Sequence, residues 1–173
     1  MISENKNGFT LIEVLMAMVV LSIGILAISM MQIKAIEGNS EAYSRSVANN
    51  VGTTVIEELK RLPFDDSNLS AGFNLDAGKA SAGGSPDPSA AGHELSAGLL
   101  PALSNVLTVS GNQVIDDNNK SYTVFWNVIN NNIFTGSGTK TPYCTIKLFV
   151  YWDTPLGTSH LEFTAVKDNN FLN

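Results

Sequence analysis

An α+β fold is what this chain of 173 residues predicts: one long N-terminal helix laid on a C-terminal antiparallel sheet of about four strands. Three patterns predict it. Residues Val14 to Ile33 form an uncharged run of 20. Behind it, Tyr43, Val47, Val51, Val55 and Leu59 recur every four residues, a helical stripe. From Tyr122 onward the side chains alternate between two faces, the period-two mark of strands.

At about 1.5 Å per residue, the uncharged run spans roughly 30 Å, the hydrocarbon thickness of a bilayer. Apolar residues cover every face of it, which a surface helix of a soluble domain does not allow. A secretory signal has an apolar run of only about 7–15 residues with a small-residue cleavage site behind it. Here Gln32, Lys34 and Glu37 carry the helical pattern onward instead. A membrane-spanning helix over residues 9–33 is the expectation. Glu13 stands at its head, between Ile12 and Val14. A carboxylate that close to hydrocarbon costs a few kcal/mol unless it is paired or lies at the interface. Two readings fit: it rests at headgroup level, where the helix dipole favours a negative charge, or it awaits a cation from another subunit.

Residues 34–62 continue as an amphipathic helix. Ile56 and Leu62 widen its stripe, and Glu57 to Arg61 is a candidate i,i+4 ion pair. Pro63 ends the helix by disfavouring the α conformation of Leu62. A recurrence of four drifts off a heptad, so the stripe is expected to dock on a sheet and not on a second helix.

Residues 63–105 are rich in Gly, Ala, Ser and Pro and read as a connecting loop, with a turn of helix near His93 to Leu100 and His93 itself solvated. Residues 106–173 carry the strands. Val106 to Ser110 is the first, Gly111-Asn112 and Asp116 to Lys120 are turns, and Asp153 to Gly157 is another. Tyr122, Val124, Trp126 and Val128 form one strand face; Cys144, Ile146, Leu148, Val150 and Trp152 a second; Leu161, Phe163 and Ala165 a third.

The composition excludes several classes. With a net charge of -6 and ten scattered Lys and Arg residues, the chain has no electrostatic footprint for nucleic acid. The lone Cys144 excludes an intramolecular disulfide and any multi-cysteine metal site, and only His93 and His160 remain as imidazole ligands. Asp116 and Asp117 lack the spaced oxygen ligands of a calcium loop. No nucleophile triad, phosphate loop or paired-carboxylate motif is present. Neither an enzyme, a cofactor nor a metal is expected.

Gly8-Phe9-Thr10-Leu11-Ile12-Glu13-Val14, behind the polar leader MISENKN and ahead of the uncharged run, closely resembles the prepilin processing motif of type IV pilins and type II secretion pseudopilins. The resemblance implies a leader at residues 1–8 and cleavage between Gly8 and Phe9 by a membrane-embedded prepilin peptidase. It also implies N-methylation of Phe9, and pairing of Glu13 with the N-terminal amine of a neighbouring subunit. The fold implied is the pilin version of α+β. The partners implied are other pilin subunits through the N-terminal helix, the peptidase, and the inner membrane before assembly into a pilus or periplasmic filament. Ala17, Ser22, Gly24, Ala27 and Ser29 would permit close helix approach in such an assembly. The segments Tyr122 to Val128 and Val150 to Gly157, with the helix end ELKRLPF, resemble PilV-type minor pilins. That implies a minor subunit that primes or joins the fibre, with adhesion or twitching motility downstream. A type II secretion pseudopilin and a membrane-anchored extracytoplasmic domain are the alternatives. Two departures stand out: no proline interrupts the helix between Phe9 and Leu62, and no disulfide can close the C-terminal region.

Overall fold

The computed structural model describes residues 10–72, 74–80, 85–95, 108–134, 140–155 and 157–168. The chain divides into two compact units, Met1–Ala42 and Tyr43–Asn173. Helix α1 spans Leu11–Arg61 and contributes to both. Leu62 still donates its N–H to Glu58 O (3.2 Å), and Pro63 follows it. Phe9, the expected first helical residue, lies outside the described residues.

In the first unit, every large apolar side chain from Leu11 to Ile36 is exposed. The helix has an 18-residue window of mean hydropathy 2.7, long and apolar enough to cross a membrane. Two hydroxyls of the apolar stretch are satisfied within the helix, Ser22 Oγ donating to Met18 O (2.8 Å) and Ser29 Oγ to Ile25 O (2.9 Å). Such back-bonding keeps a hydroxyl compatible with lipid.

In the second unit, α1 buries Ser44, Ala48, Val51, Gly52, Val55 and Leu59. This corrects the expected stripe at its near end: Tyr43 is 44% exposed, while Val47 is half-buried and packs against the core. The physical reason is size. Ser44, Ala48 and Gly52 let the helix backbone approach the sheet, and a Cβ placed on Gly52 would lie 2.2 Å from Phe163 Cε2. The expected Glu57–Arg61 pair is also corrected. Arg61 Nη1 meets Glu58 Oε1 at 2.7 Å; both spacings are neighbours on a helix, and Glu58 is the more buried, hence better fixed, acid.

Among the described residues the sheet is antiparallel throughout and has six strands: β1 (His93–Glu94), β2 (Thr108–Ser110), β3 (Gln113–Ile115), β4 (Ser121–Phe134), β5 (Lys140–Thr154) and β6 (Gly157–Asp168). Its order is β2-β3-β4-β5-β6, and β1 pairs with β4 as well. One edge of β4 is thus shared: β3 pairs with residues 121–123 and β1 with Phe125 and Trp126. The three long strands lie where the alternation puts them. The short β3 follows the expected turn, where Gly111 adopts φ 61°. β1 corrects the start of the helical turn expected near His93 to Leu100, whose residues 96–100 lie outside the described residues. The backbone there gains the free edge of β4, Leu95 N donates to Val124 O (3.3 Å), and the His93 ring stacks on Trp126 with centroids 5.8 Å apart. His93 Nε2 also bonds Ser70 O at 2.8 Å, so this histidine, though partly exposed, packs on the domain instead of hanging free in a loop.

One sheet face meets α1. Ala48, Val51, Val55 and Leu59 share a core with Val124, Trp126, Val128, Ile146, Leu148 and Val150. The opposite face is covered too. Phe125, Phe149 and Tyr151 are buried beneath Ala80 and Ala91 of the Gly/Ala-rich segment. Asn127, 2% exposed, ties that segment down: its Nδ2 donates to Leu75 O (3.1 Å) and Ala77 O (2.9 Å), and its Oδ1 accepts from Gly92 N (2.7 Å). Ala80 N donates to Tyr151 Oη at 3.0 Å. Lys79 meets Glu162 at 2.5 Å; Lys147 meets Asp76 at 2.5 Å and Glu162 at 3.2 Å. The two lysines, Lys79 first, hold the Glu162 carboxyl down to about 2 against the opposing effect of burial.

Two outcomes are expected. Gly52→Val forces the Phe163 ring away and should lower stability by about 1–3 kcal/mol, a fall in Tm of roughly 3–10 °C in thermal denaturation of the full chain in detergent; Phe163→Ala in the same background should recover part of it. For Glu162, a depressed folded value means stability present above the unfolded value of 4.5 and lost as pH falls through about 2. The stability gap between wild type and Glu162→Gln should therefore be widest near neutrality and close across that window, as followed by denaturant midpoints at stepped pH.

Candidate functional site

The residues singled out for processing and assembly are Gly8, Phe9 and Glu13. Gly8 and Phe9 lie outside the described residues. Glu13 is described, and its surroundings are specific. Thr10 immediately precedes α1, and Glu13 is the third residue of the helix. Glu13 Oε2 accepts from Thr10 N at 3.2 Å and from Thr10 Oγ1 at 3.1 Å, while Glu13 N lies 3.4 Å from Thr10 Oγ1 and 3.1 Å from Thr10 O. This is a reciprocal capping box, in which the N-cap side chain and the N3 carboxylate satisfy each other's backbone donors. The cap closes the otherwise unpaired first turn, and the positive end of the helix dipole favours the charge. Among the described residues, the carboxylate contacts no cation.

Thr10 was legible in the sequence as the first member of a Thr-x-x-Glu signature directly before an apolar run, and it is the functional neighbour that the motif reading passed over. Its consequence is geometric. The carboxylate is held at the very head of the uncharged run, against the backbone N–H of Thr10.

The other candidates take structural roles. Asp116, 6% exposed, clamps the turn that follows β3: Oδ1 accepts from Asn118 N (2.9 Å) and Lys120 N (2.8 Å), and Oδ2 accepts from Tyr122 Oη (3.3 Å). Burial first, and then the Asp116 charge, push Tyr122 up to about 12, with a hydrogen bond from Ser44 acting the other way. Lys120 Nζ reaches Ser44 Oγ at 2.8 Å and so fastens this turn to α1. Cys144 is buried, and burial pushes its thiol up, away from the reactive thiolate. A polar cleft of about 300 Å³ opens on the outer sheet face between Pro86, Pro88, Gln113, Thr123 and Asp153. Among the described residues Asp153 is the one carboxylate that lines it, and its Oδ1 accepts from Thr158 Oγ1 at 3.2 Å. The cleft offers hydrogen bonds without a paired acid and base.

Residues 4–29 match the family model described as the prokaryotic N-terminal methylation motif. No curated protein and no solved structure matches the chain. The motif is the type IV pilin-like prepilin signal. Together with the apolar helix near the N-terminus and the helix-on-sheet fold, it supports the pilin and pseudopilin superfamily, with processing by a prepilin peptidase, membrane anchoring, and assembly with other pilins.

Proposed function

We propose that this chain is a minor subunit of a type IV pilus, a structural protein and not an enzyme. The observation that carries the proposal is the methylation motif at residues 4–29, with one carboxylate, Glu13, at the head of an uncharged run. The minor-subunit reading rests on the resemblance of the Tyr122 to Val128 and Val150 to Gly157 segments to PilV-type pilins.

In this reading, peptidase cleavage after Gly8 frees the Phe9 amine, which is then methylated. The apolar helix holds the subunit in the inner membrane with the sheet unit outside the cytoplasm. On assembly the helix exchanges lipid for like helices. A buried ammonium and carboxylate gain most from a charge-assisted contact in a low dielectric, so Glu13 is the partner for the Phe9 amine of an adjacent subunit. Leaving one charge of such a pair unmatched costs about 3–5 kcal/mol. That cost selects the register of helices in which every amine meets a carboxylate. The same signal supports a secretion pseudopilin, and loss of piliation against loss of protein secretion on gene deletion separates the two.

The test is intact mass from cells with and without an active prepilin peptidase, alongside recovery of the subunit in the sheared filament fraction. The expected product begins at Phe9 and is one methyl heavier. Glu13→Ala should lower incorporation roughly a hundredfold, the scale of about 3 kcal/mol, while the folded subunit persists in the membrane. An uncut chain beside a cut control prepilin, or normal incorporation of Glu13→Ala, would overturn the proposal.

A further inference from the structure

Asn-Xaa-Ser/Thr, the acceptor sequence for N-linked glycan, occurs twice in the chain, at Asn68-Leu69-Ser70 and Asn119-Lys120-Ser121. In both, an aspartate stands two positions ahead of the asparagine (Asp66 and Asp117), so the two sites share five-residue spelling of the form Asp-Xaa-Asn-Xaa-Ser. The sequence alone does not tell them apart. The structure does.

Asn68 is folded shut. It sits in a single turn of 3-10 helix capped by Asp66, whose Oδ1 accepts both Asn68 N (2.8 Å) and Asn68 Nδ2 (2.9 Å). Its carbonyl accepts from the buried Trp126 Nε1 at 2.9 Å, Leu69 is 2% exposed, and Ser70 O is held by His93. A transferase would have to unfold this turn from the core to reach the amide.

Asn119 is presented. It lies in the tight turn between β3 and β4, exposed, with exposed Asp117 and Asn118 before it and exposed Ser121 after it. Its φ is 59°, in the left-handed region that asparagine tolerates better than other side chains. Asp116 braces the turn from beneath, and Lys120 turns inward to Ser44, so the middle residue of the triplet does not screen the acceptor. The Asn119 side-chain amide has no hydrogen-bond partner among the described residues.

We infer that Asn119 is an N-glycosylation site, taking an oligosaccharide from a polyprenyl-diphosphate donor through a membrane glycosyltransferase on the extracytoplasmic side. In the transfer, Asn119 Nδ2 bonds to the anomeric carbon of the first sugar. The bond from that carbon to the diphosphate oxygen breaks, and polyprenyl diphosphate leaves with the electron pair. One amide proton passes to a base of the transferase, and nothing is oxidised or reduced. The inference rests on the proposed topology, since the turn must face the compartment where the donor sugar is displayed.

The test is mass spectrometry of the intact chain and of its proteolytic fragments, purified from the host in which it is naturally made. The expected result is a sugar increment confined to the fragment containing Asn119, lost in Asn119→Asp and in Ser121→Ala and retained in Asn68→Gln. Asn119→Asp keeps a residue that accepts positive φ, and Ser121→Ala leaves the turn asparagine in place, so loss of sugar in both is not a folding effect. Sugar on Asn68 instead, or a chain cut at Phe9 and bare at Asn119, overturns the inference while the cut product leaves the pilin reading standing. An uncut chain that carries sugar on Asn119 does the reverse, and an uncut, bare chain overturns both.

Discussion

Gly52 admits the ring of Phe163 to a place that any side chain on the helix would occupy, with only 2.2 Å between an added Cβ and Phe163 Cε2. The rest of the second unit depends on that approach. With Ser44 and Ala48 also small, the helix backbone comes close enough for Val51, Val55 and Leu59 to reach Val124, Trp126 and Leu148 in one core. Protein interiors are packed as tightly as organic crystals, so a helix held a few ångströms further out would leave voids along its whole length. Polar fastenings lie at both ends of the contact. Lys120 reaches Ser44 near its start, and Lys167 Nζ donates to Lys60 O near its end, where a cation also suits the helix dipole.

A sheet covered on one face by a helix usually leaves its other face to water. Here the outward face carries Phe125, Phe149 and Tyr151, with Phe125 and Phe149 stacked at 5.2 Å. Aromatic area of that size needs a cover, and the Gly/Ala-rich segment supplies it. Its small side chains bury little by themselves, so the segment is held mainly by polar links: Asn127 to three backbone groups, Tyr151 Oη to Ala80 N, and the Lys79, Lys147, Asp76 and Glu162 cluster. A segment that reads as a linker from its composition is thereby a structural layer of the domain.

The first unit poses the opposite problem. Its apolar side chains find no cover among the described residues, and lipid or like helices supply the missing environment in the proposed function. The capping box at Thr10 and Glu13 serves both states. It ends the helix with its first donors satisfied, and it keeps the carboxylate at the head of the run, against Thr10.

Much of this was decided by local chemistry and is visible in the sequence. The uncharged run, the stop at Pro63, the alternation in the three long strands and the Thr-x-x-Glu signature each depend on residues within a turn or two of one another. What the tertiary structure decided are matters of distant partners. Tyr43 gave way to Ser44 because sheet approach favours small residues over the most apolar ones. His93 and Glu94 became a strand because β4 had an unpaired edge, and Arg61 took Glu58 over Glu57 because burial had fixed that acid. Asn68 and Asn119 have the same local spelling, and only the fold ties one side chain to an aspartate in a partly buried turn and leaves the other exposed. Periodicity and capping are short-range and can be read along the chain; burial, edge pairing and accessibility depend on what arrives from elsewhere in it.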